Sequence, residues 1–421
     1  MPLSLKRSAE SPAAASLAMR RPFAIALALA LGAAISLGLS RFSYALLLPP
    51  MRFDLGWSYF LSGSMNTGNA LGYFIGALAS PWILRRWRAQ LPLIGGALLA
   101  GAAMMLSGLT VDANLLMLQR VLAGIASAFI FVAGGVLTAR LSALHPQRAG
   151  LLIGIYYGGT GLGILISALL VPQALAAATA HGAAHGWQWA WVALGAVCLL
   201  ATLAMAPVAA HIDGAPAAPG TQGHFRIKPF AFGLAGYLMF GVGYIAYMTF
   251  VIALLREQGM SATAITWFYS ALGVAVMASS RIWAGMLDRF RGGQSMAILN
   301  GLLGVATLLP ALTAWPPLVF LSGLMFGAIF LSVVASTTAL VRHNLPQHAW
   351  SAGISAFTTV FALGQIVGPS VIGWIADGAG GLQRGLMFSA LALLVGAGLA
   401  SRQKALQAIA APAEKPYTGR T

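Results

Sequence analysis

In the stretch GLSRFSYALLLPP, Gly38 to Pro50, Arg41 stands inside an apolar run, with Tyr44 three residues on and Ser40 beside it. A guanidinium is a planar fork of N–H donors that does not shed its proton. In apolar surroundings it must find a carboxylate, a phosphate, backbone carbonyls or water. Arg120 in LMLQRVLAG and Arg281 in ASSRIWAGMLDRF lie in runs of the same kind. All 8 acidic residues of the chain fall in loops, tails or the ends of apolar runs, so no buried carboxylate is in view for these arginines. Such a fork suits bidentate pairing with the carboxylate or phosphate of a small anion.

Each arginine has a second reading. The stem of Arg41 could snorkel to the nearer headgroups, or its head could pair with Asp54 across the Pro49–Pro50 break. Arg120 has Gly124 one turn on, which lets helices close up, so its guanidinium could lock two helices through exposed carbonyls. Arg281 stands two turns before Asp288 and belongs to a gate rather than to a binding site. Other polar groups recur at helical spacing. Asn66, Asn69 and Tyr73 (i, i+3, i+7) share one face, and Tyr156, Tyr244 and Gln365 lie within apolar runs of their own. Each is read as lining a cavity or as bonding between helices.

No catalytic constellation competes with this reading. The 7 histidines lie in loops or near helix ends, with no HExxH motif, and Cys198 is the single cysteine. A metal site, an intramolecular disulfide and a phosphate-cradling GxxxxGK[ST] loop are all absent from the sequence. No cofactor and no enzymatic activity are expected.

The elements that position these residues follow from composition. Of 421 residues, 59% are hydrophobic and 8% charged, against roughly a quarter charged in soluble domains. The mean hydropathy is +0.83. Twelve apolar stretches are long enough to be membrane helices: 22 to 48, 58 to 83, 91 to 110, 114 to 139, 149 to 174, 187 to 209, 229 to 254, 262 to 285, 294 to 313, 316 to 340, 351 to 376 and 384 to 400. With the N-terminus inside, 18 of the 24 basic residues fall on the inner face and 3 on the outer. Both termini are therefore expected in the cytoplasm of a bacterial cell, with the chain in its inner membrane. The net charge of +16 is then an orientation signal, and no nucleic-acid partner is expected.

The segment HIDGAPAAPGTQGHFRIK, 211 to 228, divides the spans into two sixes. The expected organisation is a leader over 1–21, a six-helix bundle over 22–210, the cytoplasmic loop over 211–228, a second bundle over 229–400 and a tail over 401–421. Glycines four apart in the fifth and eleventh helices, Gly159 and Gly163 and then Gly364 and Gly368, are read as a sliding seam between the halves.

GMLDRFRGG, Gly285 to Gly293, is similar to the signature loop of the major facilitator superfamily. GALASPWILRRWRAQ stands in the place of its first-half copy, with Ser80 and Pro81 where the family has its acidic residue. QRVLAG, Gln119 to Gly124, resembles the helix 4 signature, whose arginine is linked to coupling. GQIVGPSVIGWIAD, Gly364 to Asp377, resembles the glycine and proline signature of helix 11. GLSRFSYALLLPPMRFDLGW and SGSMNTGNALGYFIGAL are similar to the start of the YbfB-type branch.

The resemblance implies an all-α integral membrane protein with twelve transmembrane helices in two six-helix halves. It also implies a gate at Asp288 and Arg289, with Gly368 and Pro369 of the helix 11 signature; Arg281 and Asp54 are further gating positions by their place in the sequence. The expected activity is secondary transport of a small organic anion, a carboxylate first, by alternating access between the halves. Coupling to protons is left open, because no acidic residue is visible inside a span. Efflux of amphipathic compounds or drugs is the alternative within transport, and a non-transporting membrane sensor or scaffold is the alternative outside it. The expected partners are a small-molecule substrate and membrane lipids, with one chain sufficient for function.

Overall fold

The computed structural model describes residues 21–212 and 225–406. Residues 1–20 of the expected leader, 213–224 of the expected loop and 407–421 of the expected tail lie outside the described residues. Twelve long helices follow in order: α1 (Pro22–Leu55), α2 (Tyr59–Arg86), α3 (Gln90–Ser107), α4 (Ala113–Leu144), α5 (Ala149–Ala180) and α6 (Gly186–Ala209), then α7 (Ala231–Glu257), α8 (Ala262–Ile282), α9 (Gln294–Leu312), α10 (Pro316–Asn344), α11 (Trp350–Ala376) and α12 (Gly381–Ser401). Among the described residues, eleven of these are long and apolar enough to cross a membrane. The exception is α2, whose 28 residues carry Asn66, Thr67 and Asn69.

Helices are the form that lipid permits, since each backbone N–H and C=O must find its partner within the segment. Their starts are marked locally. Ser58, Asp112 and Ser261 cap α2, α4 and α8 by accepting from the backbone N–H three residues on, at 3.1, 2.9 and 3.2 Å. Gly56, in the left-handed region at φ 64°, ends α1.

Several helices depart from expectation: α4, α5 and α10 run on to Leu144, Ala180 and Asn344, and α1 and α8 differ in form as well. α1 runs through Pro49 and Pro50 to Leu55 rather than stopping near residue 48, and its middle, Ala34–Phe42, is a π-helix. There the Ser43 N–H donates to the Gly38 carbonyl five residues back at 3.1 Å, which widens the turns. α8 stops at Ile282 and not at residue 285. Trp283 breaks it, donating from Nε1 to the Ala328 carbonyl at 2.8 Å, and a short helix Ala284–Arg289 follows.

α1 to α6 pack mainly on one another, as do α7 to α12, and the two groups meet along α2 with α11 and α5 with α8. The glycines of these seams are not the expected ones. Gly159 and Gly163 face Ala30 and Ala34 of α1, and Gly364 and Gly368 face Leu238 and Val242 of α7, so both pairs tighten a single half. The approach between halves uses Gly63 against the Pro369 carbonyl, Gly373 against the Tyr59 carbonyl, and Gly161 against the Gly273 carbonyl. Any Cβ at these points would enter backbone, and backbone gives little.

The α2–α11 seam generates a prediction. Ser64 Oγ and Ser370 Oγ stand 3.3 Å apart across it. Cysteines at these two positions, with Cys198→Ala as background, are expected to cross-link readily under mild oxidation. Adding Gly373→Val, which forces the helices apart, should reduce the cross-linked fraction several-fold on a denaturing gel.

A candidate binding cavity between the halves

Between the two groups of helices lies a cavity of about 400 Å³, bordered by residues of α1, α2, α4, α5, α7, α10 and α11. That lies in the range of small-molecule sites, about 300–1,000 Å³. Its lining includes Arg41 and Tyr73 from one half and Tyr244, Gln365 and Phe361 from the other, with Arg41 the one charged residue in it. It extends toward the arginine-rich end of the bundle, where Tyr157 and Thr358 are exposed.

Serines of α1 aim the two arginines. Ser36 Oγ donates to the Ser127 carbonyl at 2.7 Å, and Ser127 Oγ donates to the Ser36 carbonyl at 2.6 Å. Ser40 Oγ and Ser127 Oγ lie 3.0 Å apart. This face of α1 is thereby held on α4, and the next residue round the helix, Arg41, borders the cavity instead. Arg41 is 2% exposed. Its Nε and Nη2 have no hydrogen-bond partner among the described residues. Its Cζ lies 5.7 Å from the centroid of the Tyr73 ring. Both of these atoms are themselves enclosed by protein, so the guanidinium is held at the cavity wall with two of its three nitrogens unbonded.

Arg120 is bonded through both terminal nitrogens, and only its Nε has no partner among the described residues. Nη1 donates to the Ser40 carbonyl at 2.8 Å and Nη2 to Asn66 Oδ1 at 3.1 Å, while Cζ lies 4.9 Å from the Tyr44 ring centroid and 5.7 Å from that of Trp191. These contacts fasten α4 to α1 and α2, as in the helix-locking reading of this arginine. Asn69 Nδ2 reinforces them by donating to the Arg120 carbonyl at 3.1 Å. Asn66 Nδ2 reaches the other half, donating to Thr249 Oγ1 at 2.6 Å.

Of the residues expected to line a cavity, Arg41, Tyr73, Tyr244 and Gln365 do so, and Tyr244 donates to Gln365 Oε1 at 2.8 Å. Tyr44, Asn66, Asn69, Arg120 and Tyr156 are placed elsewhere. Tyr44 donates to the Ser62 carbonyl at 2.9 Å and faces Arg120, away from Arg41. The cause is the π turn, which adds residues per turn so that i and i+3 no longer share a face. Tyr156 is buried, donating to the Phe131 carbonyl at 2.8 Å, and its neighbour Tyr157 takes the lining position. Phe240, Phe330 and Phe361 also line the cavity without having been expected there. For Phe240 a signal existed, since it lies three residues after Tyr237 and four before Tyr244 on the same face of α7.

The arginine-poor end is closed. Asp377, after α11, accepts from the backbone N–H groups of Tyr59 and Phe60 at 2.7 and 2.8 Å, placing a negative charge on the N-terminus of α2. Tyr59 donates its hydroxyl to Glu257, and Arg52 lies 3.7 Å from the centroid of the same ring. Thr67 Oγ1 donates to the Ile366 carbonyl at 2.8 Å just beneath.

The expected gate positions divide. Asp54 does not meet Arg41. It accepts from Trp187 Nε1 at 2.5 Å and lies 2.7 Å from His185 Nδ1, which ties it to the start of α6. Pro369 presents its carbonyl to Gly63 across the seam, whereas Gly368 packs within its own half. Arg281, Asp288 and Arg289 are exposed at the arginine-rich end, and no ion pair joins them among the described residues.

Comparison with known proteins places this architecture. Residues 33–401 match the family described as Uncharacterised MFS-type transporter YbfB. A chloramphenicol resistance protein of Streptomyces lividans is 25% identical over 378 residues, 86% of this chain and 93% of its own. A putative tartrate transporter of Agrobacterium vitis is 29% identical over 147 residues, 34% of this chain and 32% of its own. Among solved structures, a bacterial homolog to the human lysosomal transporter Spinster, inward-facing and occupied, has a TM-score of 0.69 at 15% identity, covering 94% of this chain and 98% of that one. The nucleoside transporter NupG has a TM-score of 0.67 at 13% identity, covering 90% and 98%. At these identities the structural likeness carries the fold alone.

The contrast between the arginines is testable without a ligand. Arg120→Gln removes a connected set of interhelical bonds, each worth about 0.6–2 kcal/mol in a bilayer, and should lower the melting temperature in detergent clearly. Arg41→Gln removes a buried charge that has no protein partner. Its melting temperature should equal or exceed that of the unaltered protein.

Proposed function

The chain belongs to the YbfB-type family of major facilitator transporters, and on that footing we propose that it carries a small organic anion, a carboxylate first, by alternating access. It is an integral membrane transporter and not an enzyme. The observation that carries the anion reading is that Arg41 is the one charged residue bordering the cavity and has two nitrogens without a protein partner. Burying a guanidinium is tolerable only if its donors are satisfied, and an anionic ligand would satisfy them.

The distribution of basic residues supports a cytoplasmic arginine-rich face in a bacterial inner membrane. On that orientation the cavity extends toward the cytoplasm, and the closed end is periplasmic. Turnover would then require the Asp377 contacts to α2 and the Tyr59–Glu257 contact to break as the halves rock. No acidic side chain borders the cavity. Proton movement, where it occurs, is assigned to the carboxylate of the substrate or to Glu257 and Asp377 at the closed end. Anion exchange is the simpler alternative. A single chain contains the whole cavity, which supports function as a monomer.

Efflux of amphipathic compounds is the second reading. It is favoured by the aromatic lining and by the match to a chloramphenicol resistance protein over most of the chain, whereas the tartrate relative matches only about a third. Nothing in the arrangement favours a sensor or scaffold.

Proteoliposome uptake separates the two. Hydrogen bonds to a charged group contribute about 1.5–3 kcal/mol, so Arg41→Gln should weaken apparent carboxylate affinity by about tenfold to a hundredfold, with Arg41→Lys intermediate. Unchanged uptake in Arg41→Gln would remove the anion site. In a second measurement, uptake driven by an imposed inward proton gradient is expected under proton coupling. Stimulation by internal anion alone is expected under exchange.

A further inference from the structure

The wall facing Arg41 is narrower in chemistry than a general amphipathic surface. Tyr237, Phe240 and Tyr244 recur along one face of α7, and their rings stack in series, at 5.5 Å and 13° between the first two and 4.7 Å and 18° between the second two. Phe361 of α11 lies against all three, at 4.8, 5.3 and 5.5 Å and within 19° of parallel. Phe330 of α10 continues the series beyond Tyr244, at 6.0 Å and 8°. All five border the cavity. Tyr244 is held by its bond to Gln365, so the stack is fixed at its polar end as well as by its neighbours.

Near-parallel rings with centroids 4.7 to 6.0 Å apart are offset-stacked, one of the two arrangements that aromatic pairs prefer. A run of near-parallel faces beside a cavity offers one more planar ring a place in the same orientation. The polar inventory sets the rest of the ligand. One guanidinium provides for one anionic group, and with no second cation in the lining a dianion would hold its other charge unpaired in a desolvated site. With no acidic residue there either, an ammonium group would have no carboxylate partner. A neutral ring would leave Arg41 as unsatisfied as it is now.

We propose that the transported ligand is an aromatic monocarboxylate, its carboxylate on the guanidinium of Arg41 and its ring against Phe361, the part-exposed member of the aromatic stack. The proposal rests on the assignment of Arg41 as the anion's partner and adds the ring and the single charge to it.

The test is equilibrium binding by calorimetry to the full-length purified protein, using benzoate, phenylacetate, cyclohexanecarboxylate, succinate and benzamide. The aryl acids are expected to bind about two- to tenfold more tightly than cyclohexanecarboxylate, the span of an aromatic contact, and well above succinate and benzamide. Phe361→Leu, or Phe330→Leu where the first does not fold, should weaken the aryl acids more than cyclohexanecarboxylate and so narrow or remove that preference. Arg41-dependent binding of cyclohexanecarboxylate or succinate equal to that of the aryl acids would overturn the aromatic proposal and leave the anion site standing. Benzamide binding as well as benzoate, with Arg41→Gln without effect, would overturn both. Absence of binding by either aryl acid would overturn the aromatic proposal.

Discussion

The hydrogen-bonded contact of Ser36, Ser40 and Ser127 between α1 and α4 is the constraint on which the interior depends. In a bilayer, helices gain nothing by burying apolar surface against one another, so association and rotation are set by close packing and by the polar groups that must be satisfied. Three serines fix which face of α1 looks at α4. The π-helical turns then carry the chain from Ser40, whose carbonyl serves Arg120, to Arg41, which is turned to the cavity. Two guanidiniums in neighbouring helices thereby acquire different roles. One uses both terminal nitrogens in holding the half together, and the other keeps two of its three nitrogens unbonded.

A transporter must be closed at one end and able to close at the other, and the chemistry of the two ends differs accordingly. The arginine-poor end is sealed by contacts that are individually modest and reversible: a carboxylate on a helix N-terminus, a tyrosine hydroxyl on a glutamate, a cation over a ring, a few hydroxyls across the α2–α11 seam. Surface pairs of this kind contribute little each. The parts that do not yield are backbone against backbone, where Gly63 and Gly373 let α2 and α11 touch. Polar contacts surround these backbone approaches at the same end of the bundle.

Much of the architecture was legible in the chain. Apolar runs, basic loops and the lack of acidic residues inside the spans are additive, local properties, and they specified the helices to within a few residues in most cases, the side on which charge gathers and the unpaired state of at least one buried arginine. The resemblance of GMLDRFRGG and QRVLAG to superfamily signatures agreed with them, and the family match over residues 33–401 spans both stretches. The polar α2 was recognisable as a helix by length, and its asparagines announced that it faces the interior.

Rotation and partnership were not legible, because they are not local. Tyr44 follows Arg41 by three residues and would share its face in an ordinary helix, but the π turn sends it to Arg120 instead. The glycines of α5 and α11 have helix-packing spacing whichever neighbour they meet, and only the assembled bundle determines that they meet α1 and α7. Asp54 lies close to Arg41 in sequence yet is bound by His185 and Trp187, more than a hundred residues on. Composition and periodicity determined that this chain is a twelve-helix membrane protein with cations it could not pair from within its spans. Tertiary structure decided which cation stays unpaired, since that depends on the angle at which each helix is set against partners distant in the chain.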